Sequence, residues 1–189
     1  FVIGIVSRMD GQKGFDLIRE IVEPLMRLDI QIAVLGGGDK SYVQFLRTCI
    51  RKHPKKFGGH LEFSSDLATR FYAASDMFLM PSRFEPCGNT QLISLRYGSI
   101  PIVHATGGLV DTVTDFNPKT GRGNGFMFKL YDSRDLLVAI ARAVETYRQP
   151  GLWSQLVQRS MKQSFSWEIP ARKYIALFRK AMVVERQTL

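Results

Sequence analysis

The sequence predicts an α/β fold, a Rossmann-like parallel sheet with helices on both faces. Three observations carry this: short apolar runs recur along the chain, segments with helical periodicity stand between them, and the connections are short. Parallel neighbours need crossovers, and helices on both faces make the strands apolar throughout rather than alternating.

Phe1 to Ser7 is a continuous apolar run suited to a strand buried on both faces, and Arg8 to Gly14 is the polar turn after it. Phe15, Leu17, Ile18, Ile21, Val22, Leu25 and Leu28 then recur at helical spacing, with Pro24 as an expected kink or break. Ile30 to Leu35 reads as the second strand, ending at Gly36-Gly37-Gly38-Asp39, before a helix carrying Tyr42, Phe45, Leu46, Cys49 and Ile50. The unit repeats with a strand near Leu61–Phe63, a helix Leu67 to Ala74, a strand Met77 to Met80, a helix from about Asn89 to Tyr97 closed by Gly98, and a strand Ile100 to Val103. A short helix near Leu109 to Val113, a Gly-rich basic loop from Asn117, and a last strand at Gly125 to Phe128 follow. Leu136, Leu137, Ile140, Val144 and Tyr147 make one helical face, and another helix begins after Pro150-Gly151. A final helix from Ala171 to about Val184 carries Tyr174, Ile175, Leu177, Phe178 and Ala181, which need a surface to bury against.

With 189 residues, 45% of them hydrophobic and 23% charged, the composition is that of a globular domain and leaves disorder and membrane spans unexpected. No apolar run approaches the roughly 20 residues of a membrane helix. The start of the chain lacks the regions of a signal peptide; Phe1 already reads as strand, so a piece of a longer chain is expected. Cys49 and Cys87 give no disulfide framework and suit a reducing compartment. The net charge of +9 fits a polyanion and equally a domain whose ligand is a diphosphate. The densest basic run, Arg51 to Lys56, reads as a solvated helix end, since no aromatics are interleaved for base stacking.

The most informative stretch is residues 81–91, Pro-Ser-Arg-Phe-Glu-Pro-Cys-Gly-Asn-Thr-Gln, which joins an apolar strand to a polar turn opening directly into a helix. The N–H groups near Asn89 and Thr90 lack intrahelical partners, and such a helix start attracts phosphate. Glu85 and Cys87 project from the same turn, where a carboxylate can accept hydrogen bonds from neutral hydroxyls. Arg8 and Lys13 flank the loop after the first strand. Arginine offers a planar fork for two phosphate oxygens, and lysine a compact point charge that can follow charge as it develops. Ligands in parallel α/β sheets bind beyond the carboxyl ends of the strands, so both turns are expected to meet around one pyrophosphate.

Other features are less specific. Gly36-Gly37-Gly38-Asp39 lacks dinucleotide spacing, Gly107 and Gly108 suit either close approach to a ligand or a plain tight turn, and Gly121 to Gly125 reads as a mobile surface loop. His53, His60 and His104 are scattered without ligand spacing, so no metal is expected, and Asp111, Asp115, Asp132 and Asp135 suit helix caps or exposed turns. Cys87 stands where a thiol nucleophile could, but no histidine is near it in sequence.

Ser7-Arg8 to Lys13-Gly14-Phe15-Asp16-Leu17, the stretch Pro81 to Gly88 with Thr90-Gln91, Thr106-Gly107-Gly108-Leu109 with Asp111-Thr112-Val113, and Phe165-Ser166-Trp167 with Tyr174 together closely resemble bacterial glycogen synthases and plant starch synthases. The resemblance covers nearly the whole chain. It implies the C-terminal half of a two-domain GT-B glycosyltransferase: residues 1–165 as the nucleotide-sugar-binding domain, and 166–189 as a helix crossing to an N-terminal domain outside this sequence. On matching positions, Arg8 and Lys13 would grip the diphosphate, the amides at Asn89 and Thr90 would cap its distal phosphate, and Glu85 would bind glucose hydroxyls. Cys87 and Gly88 would shape the sugar pocket, and Phe63 would stack on the base. Ile93 stands where sucrose-forming relatives carry a second glutamate, which favours the glycogen and starch synthase branch.

The implied reaction is retaining transfer of glucose from ADP-glucose to the non-reducing end of an α-1,4-glucan, with no cofactor or metal. The implied partners are the nucleotide sugar, the glucan and the protein's own N-terminal domain, with no nucleic acid and no membrane. This piece alone is expected to be inactive. The location would be cytoplasmic in a bacterium or plastid in a plant. A related enzyme using UDP-glucose and a non-catalytic module binding nucleotide sugar or glucan remain the alternatives.

Overall fold

The computed structural model describes residues 1–187, and the last two positions of the expected crossing segment, Thr188 and Leu189, lie outside the described residues. Six parallel strands form one sheet: β1 (Val2–Val6), β2 (Gln31–Leu35), β3 (Phe57–His60), β4 (Met77–Met80), β5 (Ile100–His104) and β6 (Phe126–Phe128), in the spatial order β3-β2-β1-β4-β5-β6. The helices are α1 (Phe15–Arg27), α2 (Lys40–Lys52), α3 (Ser65–Ala74), α4 (Thr90–Tyr97), α5 (Gly108–Thr112), α6 (Ser133–Tyr147), α7 (Pro150–Met161) and α8 (Glu168–Gln187).

The period of two along each strand divides the core. Ile3, Ile5, Met77, Leu79, Ile100 and Ile102 are buried together with Phe15, Ile18 and Leu25 of α1, Leu46 of α2 and Leu136, Ile140 and Val144 of α6. Phe78, Met80 and Val103 point to the other face, where Tyr72 of α3 and Leu109 of α5 cover them. Gly4 lies opposite α3 because a Cβ there would strike the Ser75 hydroxyl, so the sheet and the end of α3 approach closely at that point.

Two local expectations change. Pro24 neither breaks nor ends α1, which continues to Arg27; Ile21 and Leu25 are anchored in the core, and the Lys56 ammonium donates to the carbonyls of Met26 (2.9 Å) and Leu28 (2.6 Å) at the open end of the helix. The third strand falls at Phe57–His60 rather than Leu61–Phe63. Phe57 is buried and pairs with Ile32, while Phe63 stands 80% exposed in the following loop. Lys52 of the same basic run pairs with Glu23, whose carboxyl this lysine holds below the usual range.

α4 closes at Gly98 (φ 79°), with N–H bonds from Gly98 to Leu95 and from Ser99 to Ser94, a Schellman ending that stops the helix where the sequence placed its end. α8 is different in kind. Tyr174, Leu177, Phe178 and Met182 recur on one side of it, and all are exposed. No helix among the described residues is long and apolar enough to cross a membrane.

Candidate active site

The strand order reverses between β1 and β4, and there the two strands pair only through Ile3↔Met77 and Gly4↔Phe78. Beyond those residues they part, and the loops that leave their carboxyl ends flank a crevice.

The loop after β1 is shaped by Asp10, whose carboxylate accepts from the Lys13 N–H at 3.1 Å and caps a single 3-10 turn, Gly11–Lys13. Gly14 follows at φ 77°, where a Cβ would meet the Pro81 carbonyl; only glycine lets the two loops touch. They are also joined directly, since the Arg83 N–H donates to the Gln12 carbonyl at 2.8 Å. This close seam carries Lys13 to Glu85: Nζ to Oε2 is 2.6 Å, with the two side chains only 19% and 10% exposed. Ser82 Oγ donates to the same carboxylate oxygen at 3.2 Å.

A third loop, after β5, supports Glu85 from behind. The Gly108 N–H donates to the Glu85 carbonyl at 3.0 Å, and a Cβ on Gly107 or Gly108 would strike the carbonyl oxygens of Glu85 and Cys87. His104, buried at the end of β5, donates its Nδ1–H to the Ser82 carbonyl at 2.8 Å, which fixes the ring tautomer, and the ring stacks on Phe128.

Lys13 and Thr90 line a small cavity of about 20 Å³ together with Val6, Ser7, Pro81 and Ser82. Sharing Val6, Ser7 and Thr90 with it, an open cleft of about 580 Å³ runs past Arg8, Gly36, Gly37 and Phe63. Arg8 reaches into solvent and pairs with Asp10 at 3.3 Å. Cys87 and Asn89 are exposed on the turn before α4, and Gly88 holds φ 74°. Asn89 occupies the N-cap position without a side-chain cap, and the N–H groups of Gly88, Asn89 and Thr90 make no hydrogen bond to protein among the described residues. Lys13 and the unpaired Thr90 amide thus meet at the cavity, Arg8 and Thr90 at the adjoining cleft, and Glu85 is held against Lys13. That arrangement suits an anion tethered to a hydroxyl-bearing group.

Several members of this rim were not singled out in the sequence. Tyr72 lines the cleft; burial pushes its phenol up, and a hydrogen bond with Thr90 partly opposes this. Its place on the buried face of α3, four residues after Ala68, was the available signal. Asp16 ties together distant elements: Arg83 donates to it at 2.8 Å and the Tyr131 hydroxyl at 2.7 Å, while the Arg83 guanidinium lies 4.2 Å from the centre of the Tyr131 ring. Burial and the Asp16 bond hold the Tyr131 phenol far above its ordinary range. Of the carboxylates expected at caps or exposed turns, Asp132 caps α6, Asp135 accepts from the N–H groups of Lys129 and Leu130, and Asp115 instead pairs with Arg142 at 2.9 Å.

A family model described as glycosyl transferases group 1 matches residues 1–146. The chain is 54% identical over 182 residues to the glycogen synthase of Desulforudis audaxviator (strain MP104C), covering 96% of this chain and 36% of that protein. It is 51% identical to the glycogen synthase of Clostridium novyi (strain NT), covering 94% of this chain and 37% of that one. Among solved structures, the catalytic domain of starch synthase IV from Arabidopsis thaliana, bound to ADP and acarbose, superposes with a TM-score of 0.85 at 34% identity, covering 95% of this chain and 38% of that one. Sucrose-phosphate synthase from Thermosynechococcus elongatus shares the fold, with a TM-score of 0.70 at 19% identity over 97% of this chain and 46% of that one. The chain therefore spans a little over a third of the length of the glycogen synthases it matches. By its sequence from Phe1 onward and by its six-stranded sheet, the chain belongs to the group 1 glycosyl transferases, with the C-terminal Rossmann-like GT-B domain of the glycogen and starch synthases.

Proposed function

We propose that this chain is the donor-binding half of an enzyme that transfers glucose from ADP-glucose to the non-reducing end of an α-1,4-glucan with retention of configuration. The observation that supports the reading is that Lys13, bonded to Glu85, and Thr90, at the unpaired start of α4, line one cavity. ADP in the starch synthase IV structure supports the choice of base.

Arg8 and Lys13 grip the diphosphate, and the amides of Asn89 and Thr90 cap its distal phosphate. Glu85 accepts hydrogen bonds from glucose hydroxyls, Cys87 and Gly88 shape the sugar pocket, and Phe63 stacks on the base. As the bond between glucose and diphosphate breaks, the leaving ADP gains negative charge. Fixed cations and amides aimed at that charge stabilise the transition state more than the ground state. The donor brings the reacting group itself, so no further cofactor enters the scheme. Residues 1–165 form the nucleotide-sugar domain. Residues 166–189 carry the apolar side of α8 across to an N-terminal domain, which supplies the glucan and the facing donor contacts. In a bacterial cell this chemistry belongs to the cytoplasm.

Titration of the full-length protein with ADP, UDP and GDP tests the reading. ADP is expected to bind most tightly, and glucan elongation is expected to require ADP-glucose. Preference for UDP, or glycogen retention without nucleotide affinity, would sink it.

A further inference from the structure

Gln91 is fully buried at the second position of α4, with oxygen atoms crowded on one side of its amide. Its Nε2 lies 2.9 Å from the Gly88 carbonyl oxygen, 3.2 Å from that of Cys87 and 3.2 Å from Thr112 Oγ1. The Thr112 hydroxyl is itself directed at the Gly108 carbonyl, 3.0 Å away, so towards Gln91 its oxygen accepts. The NH2 group must face this trio, because the reverse orientation would set Oε1 against two carbonyls. Oε1 is left buried without a partner. An unmet buried acceptor is costly, so the contacts on the donor side must outweigh it.

Those contacts have a geometric effect. Each peptide unit here is trans and planar, with its N–H opposite its C=O. Drawing the carbonyls of Cys87 and Gly88 towards Gln91 turns the N–H groups of Gly88 and Asn89 the other way, to the side where Cys87 and Asn89 are exposed. Gly88, at φ 74°, has backbone freedom enough to adopt other turns, so some contact has to select this one.

We propose that Gln91 is a positioning residue whose buried amide fixes the two peptide planes of Cys87-Gly88-Asn89, so that their N–H groups face an incoming nucleoside diphosphate. The inference rests on the nucleotide-sugar reading and deepens it. Gln91 touches no ligand. It acts through the carbonyls behind the amides that do.

The test uses the full-length protein. Gln91→Met keeps side-chain length and removes the donors, and Gln91→Glu sets a carboxylate against the same carbonyls. Both are expected to weaken ADP about tenfold or more, the scale of losing oriented hydrogen bonds to a charged group. In amide NMR spectra, the Gly88 and Asn89 resonances should move on adding inorganic pyrophosphate to the unsubstituted protein and stay still in the variants, while resonances of β1 and β2 stay unperturbed throughout. A general loss of packing would disturb those strands as well, so it is separated from a positioning role. Either variant suffices should the other fail to fold. If a folded variant binds ADP as tightly as the unsubstituted protein and its Gly88 and Asn89 amides still respond, the inference is overturned. If the unsubstituted protein itself fails to bind ADP, the nucleotide-sugar reading falls instead, and ligand-free Gly88 and Asn89 amide shifts identical in the variants and the unsubstituted protein then overturn the role of Gln91.

Discussion

Lys13 Nζ and Glu85 Oε2 stand 2.6 Å apart, an ion pair that joins the loop after β1 to the loop after β4 across the point where strand order reverses. The pair keeps both charges compensated while no substrate is bound. Replacing both, as Lys13→Met with Glu85→Gln, should cost less stability than the sum of the single changes, by a coupling of about 0.5–3 kcal/mol. Urea unfolding of the four proteins measures it, and strict additivity would dissolve the pair as an energetic unit.

Lys13→Ala in the full-length enzyme should lower kcat/KM by about 1.5–3 kcal/mol of transition-state stabilisation, the range for a charge-assisted hydrogen bond. An unchanged kcat/KM with ADP-glucose refutes the role given to this lysine.

Phe63 is 80% exposed on the wall of the open cleft, so its removal should disturb little else. Phe63→Ala is expected to weaken ADP by about 1–3 kcal/mol, as loss of a base-stacking partner does, and Phe63→Tyr to leave affinity near that of the parent. Calorimetric titration of both variants decides it; equal binding by the alanine protein removes Phe63 from the site.

Gly107 stands at φ 47°, with the Glu85 carbonyl where a side chain would begin. Gly107→Ala should therefore destabilise the protein by about 1–3 kcal/mol, the cost of a strained backbone position, and displace the Glu85 turn as well. A thermal melt together with an ADP titration should show both losses. A stable variant with full affinity would mean that the third loop does not brace the second.

Much of the fold was legible because its causes are local. The apolar runs at β1, β2, β4 and β5 mark buried parallel strands, and the glycine at 98 marks the end of α4. β3 lies outside the legible pattern because Gly58-Gly59 carries no hydrophobic periodicity; pairing with β2 and the single buried side chain of Phe57 make it a strand. The loops that bear Lys13 and Glu85 could be read for the same local reasons. The bond from Tyr131 to Asp16 could not, since 115 residues separate the two and neither has a pattern pointing to the other. The part played by Gln91 depends on which way two carbonyls point, and sequence does not record that.

The raised phenols and thiol should make alkali the weak side of this fold. Cys49 is pushed from its ordinary 9.0 up to about 11 by burial, and burial also raises Tyr72, Tyr131 and Tyr147 above 10.0. Each of these acids holds its proton more tightly when folded. Their contribution is whole below the unfolded-state values and is lost as pH rises through the folded ones. Stability to urea should hold up to about pH 9 and fall beyond it, and Tyr131→Phe should make that fall shallower. A midpoint flat to pH 11 would contradict this.

Both margins of the sheet are short. β3 offers four residues, two of them glycine, and β6 offers three. Exposed strand edges are where chains add to one another and begin to form fibrils, and neither margin here gives a foreign strand much length to grip. Self-association of residues 1–189 expressed alone should therefore start at the oily side of α8, and changing Leu177 or Phe178 to a charged residue is the place to begin in suppressing it.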